Sequence, residues 1–168
     1  MADNFDKTRE IKDAEDNTLQ FLTFTINDEE YGVDIMAVRE IKGWTETTRL
    51  PNSPAYMRGV INLRGLIIPI FDLRARFGRE QTIASVKNVV IILAVGERNI
   101  GILVDSVSDI LTVNNSEVKP APETEHKEEA SYINGLISLD DRMVVLLIVQ
   151  KLFSSDLLVN TAENTQIA

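Results

Sequence analysis

Cysteine is absent from the 168 residues, so the chain has no disulfide framework and no thiolate metal site. That fits a reducing compartment. Histidine occurs once, as His126, within the acidic stretch Glu123–Glu129. A catalytic base needs an oriented pocket and a partner, and a charged loop after Pro120 and Pro122 offers neither. His126 reads as a solvated loop residue, with a phosphoacceptor role as the sharper alternative. Without it, no Ser/His/Asp or Cys/His set can be assembled. No phosphate-cradling G-x-x-x-x-G-K-[ST] sequence is present. Aromatic residues make up 6%, and Trp44 is the single tryptophan, so no base-stacking platform is visible. Long apolar runs are missing too. Val89–Val95 and Met143–Val149 are the longest, at seven residues each, whereas a membrane-spanning helix takes roughly 20. They read as buried strands, and direct membrane insertion is not expected. No apolar stretch follows a basic start, so no secretory leader is read. A net charge of −9 repels nucleic acid in the absence of a local basic face.

The charge is unevenly spread. Between Val38 and Arg79 stand eight basic residues (Arg39, Lys42, Arg49, Arg58, Arg64, Arg74, Arg76, Arg79) and three acids (Glu40, Glu46, Asp72), so this segment is +5 and the remainder −14. It is either an unevenly decorated solvated surface or a docking face for an acidic protein. Hydrophobic residues are 44% of the chain and mostly Val, Ile and Leu, which favour strands. Residues 1–18 hold nine charges and read as a disordered acidic tail. From Leu19 onward, Phe21–Ile26 and Tyr31–Ile35 flank the polar turn Asn27–Glu30, a hairpin pattern. Gly59–Leu63 and Leu66–Phe71 form a second pair around Arg64-Gly65. Pro69 lacks an N–H, which points to an edge or a bulge. Leu73–Phe77 suits one helical turn stopped by Gly78.

The second half repeats the first. A shift of 69 carries Gly32 to Gly101, Val38 to Val107, Glu40 to Asp109 and Ile41 to Ile110. A shift of 76 carries Tyr56 to Tyr132, Gly59 to Gly135 and Ile61 to Ile137. The difference places an insertion in the polar stretch Lys119–Ser131. Each repeat (21–77 and 89–153) is near the size at which a core alone is marginal, so the two are expected to pack together over residues 19–153, with 154–168 as a C-terminal tail. Carboxylate pairs at Glu29-Glu30, Glu128-Glu129 and Asp140-Asp141 fall in turns, and hard-cation binding needs six or more oxygens in a closed loop. No metal and no cofactor is expected. Two other readings stay open: a β-barrel module for nucleic acid or oligosaccharide, and an enzyme with a carboxylate site of raised pKa.

Several segments resemble the CheW coupling-protein family of bacterial chemotaxis: Asp28-Glu29-Glu30-Tyr31-Gly32-Val33-Asp34-Ile35, Val38-Arg39-Glu40-Ile41, and Pro54 to Gly65 with its Gly-Val-Ile-Asn-Leu-Arg-Gly core. Ile68-Pro69-Ile70-Phe71-Asp72-Leu73, Val104 to Ile110 and Lys119-Pro120-Ala121-Pro122 follow in order. The resemblance implies an all-β fold of two SH3-like five-stranded β-barrels packed together, with short helical turns. It implies a cytoplasmic, non-enzymatic adaptor, monomeric in isolation and recruited to receptor arrays. Its implied partners are the regulatory domain of the histidine kinase CheA and the cytoplasmic tip of methyl-accepting chemoreceptors, the latter in a groove between the barrels. Carried over residue by residue, the receptor-facing positions are Val38, Glu40, Gly59 and Arg64, with Asn62 and Leu63 beside them. A guanidinium fork at Arg64 suits a carboxylate or exposed helix carbonyls, and Gly59 permits close backbone approach. The plainer readings are that Val38 is core, Gly59 serves a turn, and Arg64 pairs internally with Glu40 or Asp72. Kinase contacts implied by the family fall on Val118–Glu125, with Lys119 and Glu123 as members.

Overall fold

The computed structural model describes residues 17–122 and 132–153. Apart from Asn17 and Thr18, the two tails lie outside these residues, as do Glu123 and His126. Ten strands dominate: β1 (Thr18–Ile26), β2 (Glu29–Asp34), β3 (Val38–Gly43), β4 (Met57–Leu63), β5 (Leu66–Asp72), β6 (Val89–Val95), β7 (Arg98–Val104), β8 (Ser106–Asn114), β9 (Ile133–Ser138) and β10 (Met143–Leu147). Two single-turn helices, α1 (Leu73–Arg76) and α2 (Val149–Leu152), follow β5 and β10. Asp72 caps α1 by accepting from Ala75 N, and Gly78 leaves the turn at φ 84°.

The strands form two five-stranded sheets, ordered β8-β1-β2-β10-β9 (barrel A) and β3-β6-β7-β5-β4 (barrel B). Barrel B is built from one continuous stretch, and barrel A from the two flanks of that stretch. Under the repeat, β1 and β2 correspond to β6 and β7, and β3, β4 and β5 to β8, β9 and β10. Each barrel therefore joins two strands of one repeat to three of the other. The parallel ladders correspond as well: Gly32 pairs with Leu146 and Gly101 with Ile70. A β-carbon at Gly101 would collide with the tip of the Ile70 side chain, so glycine there leaves room for Ile70 in the barrel B core. β5 lies inside its sheet, so Pro69 is not on an edge. The β7 ladder begins only at Ile70, which leaves the β7 flank of Pro69 without a ladder partner.

Three apolar clusters hold the molecule together. Ile61, Ile68, Ile70, Val90, Ile92 and Leu103 fill barrel B. Phe21, Val113, Ile137, Val144 and Leu146 fill barrel A. The largest cluster lies between the barrels and draws on both, including Leu22, Phe24, Val33, Phe71, Ile91, Leu93, Ile102 and Phe153. Alternate residues of β6 thus serve two cores, Val90 and Ile92 the barrel, Ile91 and Leu93 the interface. Both faces of the strand are covered, which is why it reads as an unbroken apolar run. The interface carries corresponding ring contacts, Tyr56 with Phe153 at 6.2 Å and Tyr132 with Phe77 at 5.8 Å. The Arg76 guanidinium lies over both tyrosines, at 5.5 and 5.9 Å, and its Nε donates to Leu152 O.

Candidate interaction site

Barrel B is closed on its open side by a strap and by an ion pair. β3 and β4 are its edge strands. The segment after β3 crosses to β4 at Thr48, which exchanges two backbone hydrogen bonds with Val60 at 2.9 and 2.8 Å. Gly59 is buried under this strap at φ 126°, and a β-carbon there would collide with the Thr48 carbonyl. Gly59 thus lets backbone meet backbone inside the barrel, which accounts for it without any partner.

The β4–β5 connection is a tight turn with Arg64 at φ 50° and Gly65 at φ 88°, the left-handed pair that suits a two-residue hairpin. Asn62 Oδ1 accepts from Gly65 N at 2.9 Å and fixes the turn. Arg64 Nη2 then reaches across the barrel mouth to Glu40 Oε2 on β3, at 2.7 Å. The Arg64 side chain remains 75% exposed in this pair and Glu40 31%. Of the two internal partners open to Arg64, Glu40 is the one it takes. Asp72 is buried and belongs to Arg58 at 3.7 Å and to Thr82 N and Oγ1, each at 2.7 Å. Leu63 is half-buried against the barrel B core, and Val38 against the inter-barrel core. Glu40, Asn62, Leu63 and Arg64 therefore gather at one mouth, with Val38 two residues along β3 and Gly59 beneath the strap. Ile41, Leu66 and Ile67 stand beside them as exposed aliphatics.

Lys119 is on the other barrel. It exchanges backbone hydrogen bonds with Leu136, the counterpart of the Thr48–Val60 strap, and its Nζ donates to Ser116 O. It is separate from the Glu40–Arg64 mouth.

Sequence reasoning missed a second mouth on barrel A. Arg142 pairs with Asp109 at 3.3 Å and with Glu30 at 3.2 Å. Asp109 is the counterpart of Glu40, and the exposed Ile110 and Met143 are the counterparts of Ile41 and Ile67. The pattern was available in the repeat, since Glu40 falls on Asp109 at a shift of 69. The arginine was hidden, because it sits two residues out of register with Arg64. The Thr23 hydroxyl donates to the Asp109 carboxylate and, with Arg142, holds its pKa below the ordinary range. Glu29 is likewise lowered, first by the Tyr31 hydroxyl, and burial together with Glu29 pushes the Tyr31 phenol up.

Among the described residues, no three His, Cys, Asp or Glu side chains gather to hold a metal, and no helix is long and apolar enough to cross a membrane. The one tryptophan, Trp44, has a ring face taken by the Arg58 guanidinium at 5.4 Å. What this surface offers is an ion pair open to solvent, on strands and a turn that also carry the exposed aliphatics Ile41, Leu66 and Ile67.

The profile of a family described as "CheW-like domain" matches residues 20–157. A probable chemotaxis protein CheW of Rhizobium etli is 43% identical over 144 residues, covering 86% of this chain and 93% of that protein. The chemotaxis protein CheW of Klebsiella aerogenes is 44% identical over 137 residues, 82% of each chain. Among solved structures, the scaffolding protein TtCheW from Thermoanaerobacter tengcongensis superposes with a TM-score of 0.72 at 29% identity, covering 80% of this chain and 92% of that one.

Proposed function

This chain belongs to the CheW-like domain family, a family of chemotaxis scaffolds, and from that premise we propose that it couples methyl-accepting chemoreceptors to the histidine kinase CheA. The observation that carries the reading is the Arg64–Glu40 pair at the barrel B mouth, with its guanidinium largely in solvent and Leu66 and Ile67 exposed on the strand that follows the Arg64 turn. A receptor tip is a helical hairpin, and a helix laid on a protein surface needs apolar contact with a few polar anchors. Val38, Asn62 and Leu63 border the pair, and Gly59 supports the strand that carries it. The segment from Val118, with Lys119 and Glu123, is the proposed kinase contact. No bond is made or broken. Signal passes as a difference in affinity between receptor states. The protein works in the cytoplasm, at receptor arrays, and is a monomer by itself.

The test is calorimetric titration at moderate salt with the kinase's regulatory domain and, separately, with a receptor-tip hairpin. Saturable one-to-one binding to each is expected. Binding to neither, with both partners folded, would remove the adaptor reading.

A further inference from the structure

The internal repeat gives places in barrel B counterparts in barrel A, and one such pair of places differs. After α1 the chain turns at Gly78 and folds back as the β5–β6 loop, where it is clamped. Thr82, 6% exposed, lies between Asp72 and Arg58. Its N and Oγ1 each donate to Asp72 at 2.7 Å, and Arg58 Nη1 donates to its O at 2.9 Å. Asn88, at the loop's end, is buried as well and donates to Val104 O. On the way, Arg79 crosses to the other barrel and pairs with Glu29 of the β1–β2 hairpin at 3.0 Å.

A shift of 76 carries Phe77 to Phe153, Asp72 to Ile148 and Arg58 to Asn134, and a shift of 69 relates Leu19 to Asn88. Ile148, Asn134 and Leu19 line an open cleft of about 360 Å³ between the barrels, together with Leu93, Val95 and Val149. The place that Thr82 fills in barrel B is thus a cleft in barrel A. Its lining has changed character too. An acid, a guanidinium and an amide matched by hydrogen bonds become two half-buried aliphatics, Ile148 and Leu19, and the exposed amide of Asn134. Such a lining favours an aliphatic cover.

The chain itself carries one. Phe153 is followed by Ser154-Ser155-Asp156-Leu157-Leu158-Val159. The shift of 76 that carries Phe77 to Phe153 carries Thr82 to Leu158, an aliphatic residue matched to an aliphatic lining. Five residues of extended chain reach about 17 Å, and Val149 and Gln150, on the single turn before Phe153, already line the cleft. Charge agrees. Glu29 falls on Arg98 at a shift of 69, and Arg79 falls on Ser155, beside Asp156, so the charges that pair across the barrels recur with their signs exchanged. Arg98 stands opposite Val95, a lining residue, in the β6–β7 ladder.

We propose that residues 156–159 are an internal ligand of this cleft. Leu158 seats against Ile148, Val149 and Leu93 as the aliphatic counterpart of Thr82, and Asp156 pairs with Arg98 as Arg79 does with Glu29. The chain covers the cleft with its own C-terminal segment, and a partner that enters the cleft must displace it. Neither contact involves the Glu40–Arg64 mouth.

The experiment uses the full chain in solution, labelled at its Leu and Val methyls. Nuclear Overhauser contacts from the Leu158 methyls to those of Leu93 or Val149 are expected. Leu158→Asp is expected to speed hydrogen exchange over residues 147–153 about tenfold. Asp156→Arg should speed it by a smaller factor, which Arg98→Asp in the same chain reverses. Absence of the methyl contacts in the parent would overturn the seat, and they decide the matter even where Leu158→Asp fails to fold. Contacts arising only between differently labelled copies would make the occupant a second copy's segment and overturn it equally. A double variant no better protected than Asp156→Arg would overturn the ion pair.

Discussion

Arg64 shows how one residue can serve two readings. Its ion pair with Glu40 is real, but the guanidinium is three-quarters exposed. A pair in that setting contributes about 0–1 kcal/mol to stability. Arg64→Glu is therefore expected to lower the thermal midpoint only slightly, while weakening receptor-hairpin binding about tenfold or more. A folded variant with unchanged binding would take Arg64 out of the site, and an unfolded one would make the pair structural. Asp109 on barrel A gives a pH test. Its pKa is lowered first by the Thr23 hydroxyl and then by Arg142. The folded form favours the carboxylate, so this contribution is complete above the unfolded-state pKa and fades as pH falls through the folded one. Side-chain NMR titration should place Asp109 below its ordinary value, with Thr23→Val and Arg142→Gln each moving it back. Titration of the parent at the ordinary value would contradict this. The Arg64–Glu40 pair was one of two internal pairings open to Arg64 in the sequence, whereas the pairs of Arg142 with Asp109 and Glu30 were not legible, because a long side chain reaches its partner from a position that backbone register does not mark.

At the scale of elements, hairpins were the most readable features. Asn27-Asp28 adopts the left-handed turn that its residue types permit, and α1 is the helical turn expected over Leu73–Phe77. The straps at Thr48 and Lys119 were not readable, since each is a single bridge with no periodicity of its own. Nor was the clamp on the β5–β6 loop. Asp72 stands between Phe71 and Leu73 at the end of an apolar run, and nothing there says that its carboxylate is buried against Thr82. The strap predicts its own failure point. Gly59→Ala places a methyl against the Thr48 carbonyl at a positive φ, which should destabilise the fold by about 1–3 kcal/mol. Chemical denaturation measures it, and an unchanged midpoint would mean that the strap can lift freely.

On the scale of the whole molecule, the repeat was visible because glycines and tyrosines recur at fixed offsets. The assignment of strands to barrels is less legible, since alternation specifies which face is buried and not which strand lies alongside. The largest cluster sits between the barrels, with Phe153 stacked on Phe71 at 4.4 Å. Phe153→Ala should cost about 3–5 kcal/mol and lower one cooperative transition common to both barrels. Two separated transitions would show that each barrel stands alone. The reciprocal sharing of strands also sets a schedule for synthesis. As the chain leaves the ribosome, β3 to β7 emerge together and hold every strand of barrel B. The β1–β2 hairpin, made first, must wait for β8 and β10 before its two edges are paired. Through most of translation the newborn protein is thus half an adaptor, with its oldest strands the last to find a home.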